Sequence, residues 1–155
     1  YTQAYTLSLH DALPIFLVPD DIAEGTAEVS VTTPAGSSSK VQVASKAISP
    51  GIFFDTGSGL GAILYNATVP NILEIYSTGL GPLRADGSGL LWTTATVEVL
   101  IGGNPAQVFF SGQAPGYPGL YQVNAQVPGN TAPGLQPVVL RVGSETSNEV
   151  KVLVR

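Results

Sequence analysis

Val127 to Val152 reads VPGNTAPGLQPVVLRVGSETSNEVKV, and 109 residues earlier Val18 to Val43 reads VPDDIAEGTAEVSVTTPAGSSSKVQV. Laid over each other without a gap, the two stretches share 8 of 26 residues. The identities are Val18/Val127, Pro19/Pro128, Ala23/Ala132, Gly25/Gly134, Val29/Val138, Ser38/Ser147, Val41/Val150 and Val43/Val152, and Val31/Leu140 is conservative. They fall on Pro/Gly punctuation and on alternating apolar positions. A hairpin holds these positions constant, because turn residues set the loop and a period of two sets the buried face. A spacing of 109 residues suits an immunoglobulin-like sandwich of about 100 residues. It is too long for solenoid or propeller repeats of roughly 20–50 residues. Residues 16–48 are therefore expected to be the C-terminal hairpin of a truncated immunoglobulin-like domain. Residues 49–155 are expected to form one complete immunoglobulin-like β-sandwich.

The rest of the chain reads the same way. Short runs rich in Val, Ile, Tyr, Phe and Thr recur between Gly/Pro/Asn/Ser clusters, the pattern of strands and turns. Strands are expected near 27–32 and 40–44, then near 61–66, 72–77, 96–101, 106–111, 120–127, 137–142 and 149–154. Val97, Val99 and Ile101 alternate with Glu98 and Leu100. Tyr121, Val123, Ala125 and Val127 alternate with Gln122, Asn124 and Gln126. Each alternation puts one face in a core and the other in water. Turn signals sit at Gly102-Gly103-Asn104-Pro105, Ala114-Pro115-Gly116 and Gly143-Ser144. No window carries a helical period. The fold class is all-β. A hairpin is marginal in water by itself, so the one near 27–44 is expected to lean on the complete domain or to be poorly ordered.

Composition narrows the function. Six Lys/Arg, scattered along the chain, make no basic patch for nucleic acid. The absence of Cys rules out a disulfide framework and thiolate metal sites. No apolar run approaches the roughly 18–20 residues of a membrane-spanning helix. Residues 1–15, YTQAYTLSLHDALPI, match nothing downstream and resemble a translated sequencing-adaptor scar. They hold the one His, His10, so the remainder offers neither a Ser/His/Asp triad nor a His-based metal site.

Four segments occur in order: SPGIF at Ser49–Phe53, YSTGLGP at Tyr76–Pro82, IGGNPAQVFFSGQAPG at Ile101–Gly116, and PGYPGLYQVNAQVP at Pro115–Pro128. Together they resemble the Solibacter-type C-terminal domain of large secreted or surface proteins of soil bacteria. The resemblance covers about Val18 to Arg155. It implies two consecutive immunoglobulin-like units of the IPT/TIG kind, a secreted or cell-surface location, and no catalytic residues to carry over. The chain departs from the pattern by lacking most of the first unit and by a short stretch between Gly61 and Asn71.

Several residues invite chemistry. Ile52-Phe53-Phe54-Asp55-Thr56-Gly57-Ser58 looks like an aspartic-protease loop, with Leu100-Ile101-Gly102 as a later apolar-apolar-Gly. Such chemistry needs two aspartates sharing a proton, hence a homodimer here. The bland reading is a polar Gly turn. Asp55-x-Gly57-x-Gly59 and Asp86-Gly87-Ser88-Gly89 each offer one carboxylate, whereas Ca²⁺ wants six to eight oxygens. No metal or cofactor is expected. Asn66-Ala67-Thr68 matches a glycosylation acceptor by chance composition.

Trp92, read in a long loop, and Tyr117 could stack on a sugar or a peptide. The favoured expectation is that Trp92 folds back over the end of the sandwich. Tyr121 is expected in the core or as a corner tyrosine. Gln122, Asn124 and Gln126 form an amide row that could bond a glycan or a neighbouring domain, or simply face water. The function expected is a non-catalytic accessory, adhesion or spacer module. Its partners would be other domains of the same polypeptide and an extracellular protein or glycan. The alternatives are a carbohydrate-binding module and, less favoured, a dimeric retropepsin-like protease through Asp55.

Overall fold

The computed structural model describes residues 17–18 and 22–155. The segment 1–15 with His10 lies outside the described residues. The chain divides into two compact units, Tyr1–Ala47 and Ile48–Arg155. The described residues form strands and turns, with no helix.

In the first unit, β1 (Gly25–Val29) pairs antiparallel with β4 (Val41–Ser45), and β2 (Thr32–Thr33) with β3 (Gly36–Ser37). The result is one hairpin. Ala27/Val43 and Val29/Val41 are cross-strand partners on one face. Glu28/Gln42 lie on the other, where Lys40 Nζ sits 2.6 Å from the Glu28 carboxylate. That exposed ion pair contributes little to stability.

The second unit has two antiparallel sheets. One contains β5 (Gly51–Ile52), β6 (Ile63–Tyr65), β7 (Ile72–Thr78), β8 (Leu83–Ala85), β9 (Leu91–Thr93), β12 (Val108–Gln113) and β13 (Tyr121–Gln126). Its order is β5-β7-β13-β12-β9-β8, with β6 also on β7. The other contains β10 (Val97–Ile101), β11 (Asn104–Ala106), β14 (Gly134–Val142), β15 (Glu145–Thr146) and β16 (Val150–Val154). Its order is β11-β10-β14-β15, with β16 also on β14.

The period of two in each strand builds the core. Leu73, Ile75, Val123 and Ala125 of the first sheet meet Val99, Ile101, Val138, Leu140 and Val150 of the second in one buried cluster. Each fully buried aliphatic side chain contributes about 1.5–3 kcal/mol. This β-sandwich packing follows from the alternation in sequence. Turn chemistry also follows. Ile101 pairs with Asn104, so Gly102 and Gly103 form a two-residue loop with φ of 60° and 78°, positive values that glycine adopts without strain.

The last hairpin repeats the first, bond for bond. Gly25↔Ser45 through Val29↔Val41 become Gly134↔Val154 through Val138↔Val150, a constant shift of 109. The tips agree as well: Thr32↔Ser37 and Thr33↔Gly36 become Arg141↔Thr146 and Val142↔Glu145. Ser38 and Ser147 play one part. Each hydroxyl accepts from a backbone N–H, of Val31 at 3.0 Å and Leu140 at 2.9 Å. Each then donates to the next carbonyl, of Ser39 and Asn148.

Two strand expectations are corrected. The run 106–111 is not one strand. β11 belongs to one sheet and β12 to the other, with the crossing at Gln107. Pro105 cannot donate to a ladder and sits on an edge strand, where that costs nothing. The long loop expected around Trp92 is also corrected. It contains β8 and β9, each three residues long, too short to show a period of two.

Candidate functional site

The outer face of the first sheet is where the sequence candidates meet. Cross-strand partners in an antiparallel ladder point to the same side. Arg84 pairs with Trp92, Trp92 with Gly112, Gly112 with Gln122, and Gln122 with Tyr76. One row thus crosses β8, β9, β12, β13 and β7. A second row runs Phe110, Asn124, Glu74 and Leu64. Gln126 follows by alternation, opposite Ile72. The neighbours Thr93, Ser111, Val123 and Ile75 are buried, so both rows face outward. This arrangement brings Trp92, Gln122, Asn124 and Gln126 onto one face.

Trp92 is therefore corrected from a loop residue to a strand residue. Its ring meets Phe110 edge to face, with centroids 4.8 Å apart and planes at 71°. The favoured geometry of aromatic pairs is of this kind. Gly112 makes the contact possible. A Cβ there would stand 2.0 Å from the Leu91 carbonyl oxygen and 2.8 Å from Phe110 Cζ. β9 can approach β12, and Phe110 can lie along it, because position 112 has no side chain. The Trp92 indole N–H is shielded and has no hydrogen-bond partner of full geometry, while its closeness adds a small downward pull on the Asp86 carboxyl.

The polar groups of the face are already organised. Gln122 Nε2 donates to Asn124 Oδ1 at 2.8 Å. Glu74 accepts from Asn66 Nδ2 at 2.6 Å and from the Tyr76 hydroxyl at 3.3 Å. Burial first, and then the Glu74 charge, push the Tyr76 phenol above its ordinary range, with a further small contribution from Tyr117. Tyr117 is well exposed on the turn between β12 and β13. An open cleft of about 290 Å³ lies among Arg84, Trp92, Thr94, Thr96, Phe109 and Phe110. This is the small end of ligand cavities. It suits a surface contact to one ring or side chain better than enclosure of a cofactor. Sequence reasoning missed Arg84, Phe110, Tyr76 and Glu74. The alternation of Glu74 and Tyr76 with Leu73, Ile75 and Ser77 was the available signal.

The other candidates resolve into structural roles. The Asp55 carboxylate accepts from the Ser58 N–H at 2.7 Å and the Ser58 hydroxyl at 2.8 Å. These bonds hold it below the usual carboxylate range. The Gly59 N–H closes the turn on the Asp55 carbonyl. Asp86 is held low in the same way by the Ser88 hydroxyl and N–H. Asn66 Oδ1 accepts from the N–H groups of Thr68 and Val69, so it caps its own turn. Tyr121 donates to the Gly81 carbonyl at 2.6 Å. That bond ties β13 to the turn before β8, 40 residues away, whereas a tyrosine corner reaches only a few residues upstream.

Among the described residues no group of three or more His, Cys, Asp or Glu could hold a metal ion. No helix among them is long and apolar enough to cross a membrane. No protein-family model matches the chain, and no curated protein matches it.

Proposed function

We propose that this chain is a non-catalytic, immunoglobulin-like accessory module of the adhesion or spacer type, working at the C-terminus of a secreted or cell-surface bacterial protein. The observation that carries the reading is the outward row Arg84, Trp92, Gly112, Gln122 and Tyr76. It is a broad, pre-ordered contact surface on a stiff sandwich, with little depth for enclosing a substrate. Rings and amides already fixed by their own bonds lose little freedom on binding. Immobilised wild-type protein should retain extracellular protein or glycan ligands, and Trp92→Ala should weaken retention. Tyr117→Ala and Gln122→Ala, at exposed and half-buried positions, separate loss of contact from loss of fold. Equal retention by wild type and all three variants would refute this face as the contact surface.

A carbohydrate-binding role is the second reading. What favours it is the combination of aromatic edges at Trp92, Phe110 and Tyr117 with the amides of Gln122 and Asn124. A glycan pull-down that succeeds with wild type and fails with Trp92→Ala, in protein of unchanged melting temperature, supports it over a spacer role. The dimeric protease finds no support in a carboxylate engaged by its own loop serine. A pepstatin-sensitive cleavage lost in Asp55→Asn would revive it.

A further inference from the structure

The open cleft beside β8 and β9 carries a charge opposite to that of the chain as a whole. The protein has a formal charge of -5, yet Arg84 is the one charged group among the residues lining the cleft. Arg84 enters no ion pair among the described residues. Asp86, two residues on, is engaged by Ser88 instead. Glu74 of the same sheet face lies on β7, four strands from β8 and so about 19 Å away. Salt screens charges over about 8 Å, so Glu74 does not neutralise Arg84. Two further kinds of group meet there. Trp92 and Phe110, locked edge to face, form an apolar wall. Thr94 and Thr96 also line the cleft, and their hydroxyls have no hydrogen-bond partner among the described residues. The Thr93 hydroxyl between them in sequence and Trp92 is by contrast spent inward on Ser111. All of these residues belong to the second unit.

We infer that this cleft is a subsite for one carboxylate-bearing sugar, a uronic acid residue of a glycan. The inference rests on the carbohydrate-binding reading above and adds the charge class of the glycan. The guanidinium is a planar fork of donors that matches the two oxygens of a carboxylate. The Trp92–Phe110 wall takes the C–H side of the pyranose, apolar surface against apolar surface. The Thr94 and Thr96 hydroxyls both donate and accept, as sugar hydroxyls do. An acidic peptide side chain would meet Arg84 but bring no hydroxyls for the two threonines. At about 290 Å³ the cleft is at the small end of ligand sites, with room for one ring and an open side for the rest of the glycan.

Calorimetric titration of the 155-residue chain with oligogalacturonate, its fully methyl-esterified form and poly-glutamate tests this. Esterification removes the charge and keeps the sugar. Wild type should bind the acid at least about tenfold more tightly than the ester, the fold-change expected of a charge-assisted bond. Added salt should erode that preference. Arg84→Gln should bring the acid down to the affinity of the ester and leave the ester unchanged, at an unaltered melting temperature. Thr96→Ala should weaken both saccharides alike. Equal affinity for acid and ester in wild type overturns the inference while the carbohydrate reading stands. A preference that survives Arg84→Gln overturns it as well. Poly-glutamate held as tightly as oligogalacturonate would make an acidic peptide the occupant and overturn the sugar assignment. Binding of neither saccharide would overturn both the inference and the reading beneath it.

Discussion

Replacing Gly112 by Ala should detach β9 and blunt the outer face. The added Cβ would stand 2.0 Å from the Leu91 carbonyl oxygen. The closest ordinary carbon–oxygen approach is about 3.3 Å, so β9 and β12 must part by about 1.3 Å. β9 is held to β12 by one paired position, Trp92↔Gly112, and has little to resist with. Overpacking of a fitted site costs about 1–3 kcal/mol. Loss of the edge contact between Trp92 and Phe110 adds about 0.5–1.5 kcal/mol. A total near 2–4 kcal/mol should lower the melting temperature of a unit of about 100 residues by roughly 10–20 °C. The assay is thermal unfolding followed by circular dichroism, with emission from Trp92, the single Trp of the chain, as a local probe. Gly129→Ala is the control, since nothing lies within 4 Å of its Cβ position. It should be neutral or slightly stabilising. A Gly112→Ala protein that melts within about 2 °C of wild type, with unchanged Trp emission, would refute the reasoning.

Three further outcomes follow from the packing. The Ser77 hydroxyl is fully buried without a partner, so Ser77→Ala should be neutral or stabilising by up to about 1 kcal/mol; a clear loss in denaturant midpoint would contradict this. Tyr121→Phe removes the bond to the Gly81 carbonyl and should cost about 0.5–1.5 kcal/mol, read as a lower midpoint at unchanged denaturant slope. Asp55 and Asp86 are held low in the folded state by their serine partners. Their contribution is therefore present above the ordinary aspartate value of about 3.9 and is lost as pH falls through the depressed folded value. The Ser58 and Ser88 amide resonances should shift only in that acid range, and a titration midpoint above the ordinary aspartate value would count against the capped turns.

Legibility in the sequence depended on how local the signal was. Val97, Val99 and Ile101 declare a strand face within five residues, and Gly102-Gly103 declare the turn that follows. Gln122, Asn124 and Gln126 declare a shared outer face by the same alternation. Trp92 could not be placed this way. Its strand has three residues, and its position depends on Gly112, which reads in sequence as one more flexible glycine. Tyr76 joins the row only through a ladder to β13, distant along the chain, and Arg84 through the pairing of two three-residue strands, β8 and β9. The switch of sheets at Gln107 was hidden for a similar reason, since both flanking strands alternate as though they were one.

By itself, the order of residues determined that this chain is built of antiparallel strands, where its hairpins close, and that two of them share one register at a spacing of 109. Those features rest on a period of two and on glycine and proline turns, which act over a handful of neighbouring residues. Only the folded sandwich decided which strands sit side by side, and so which side chains share a surface. Strand neighbours are chosen by burial of aliphatic faces from across the whole chain.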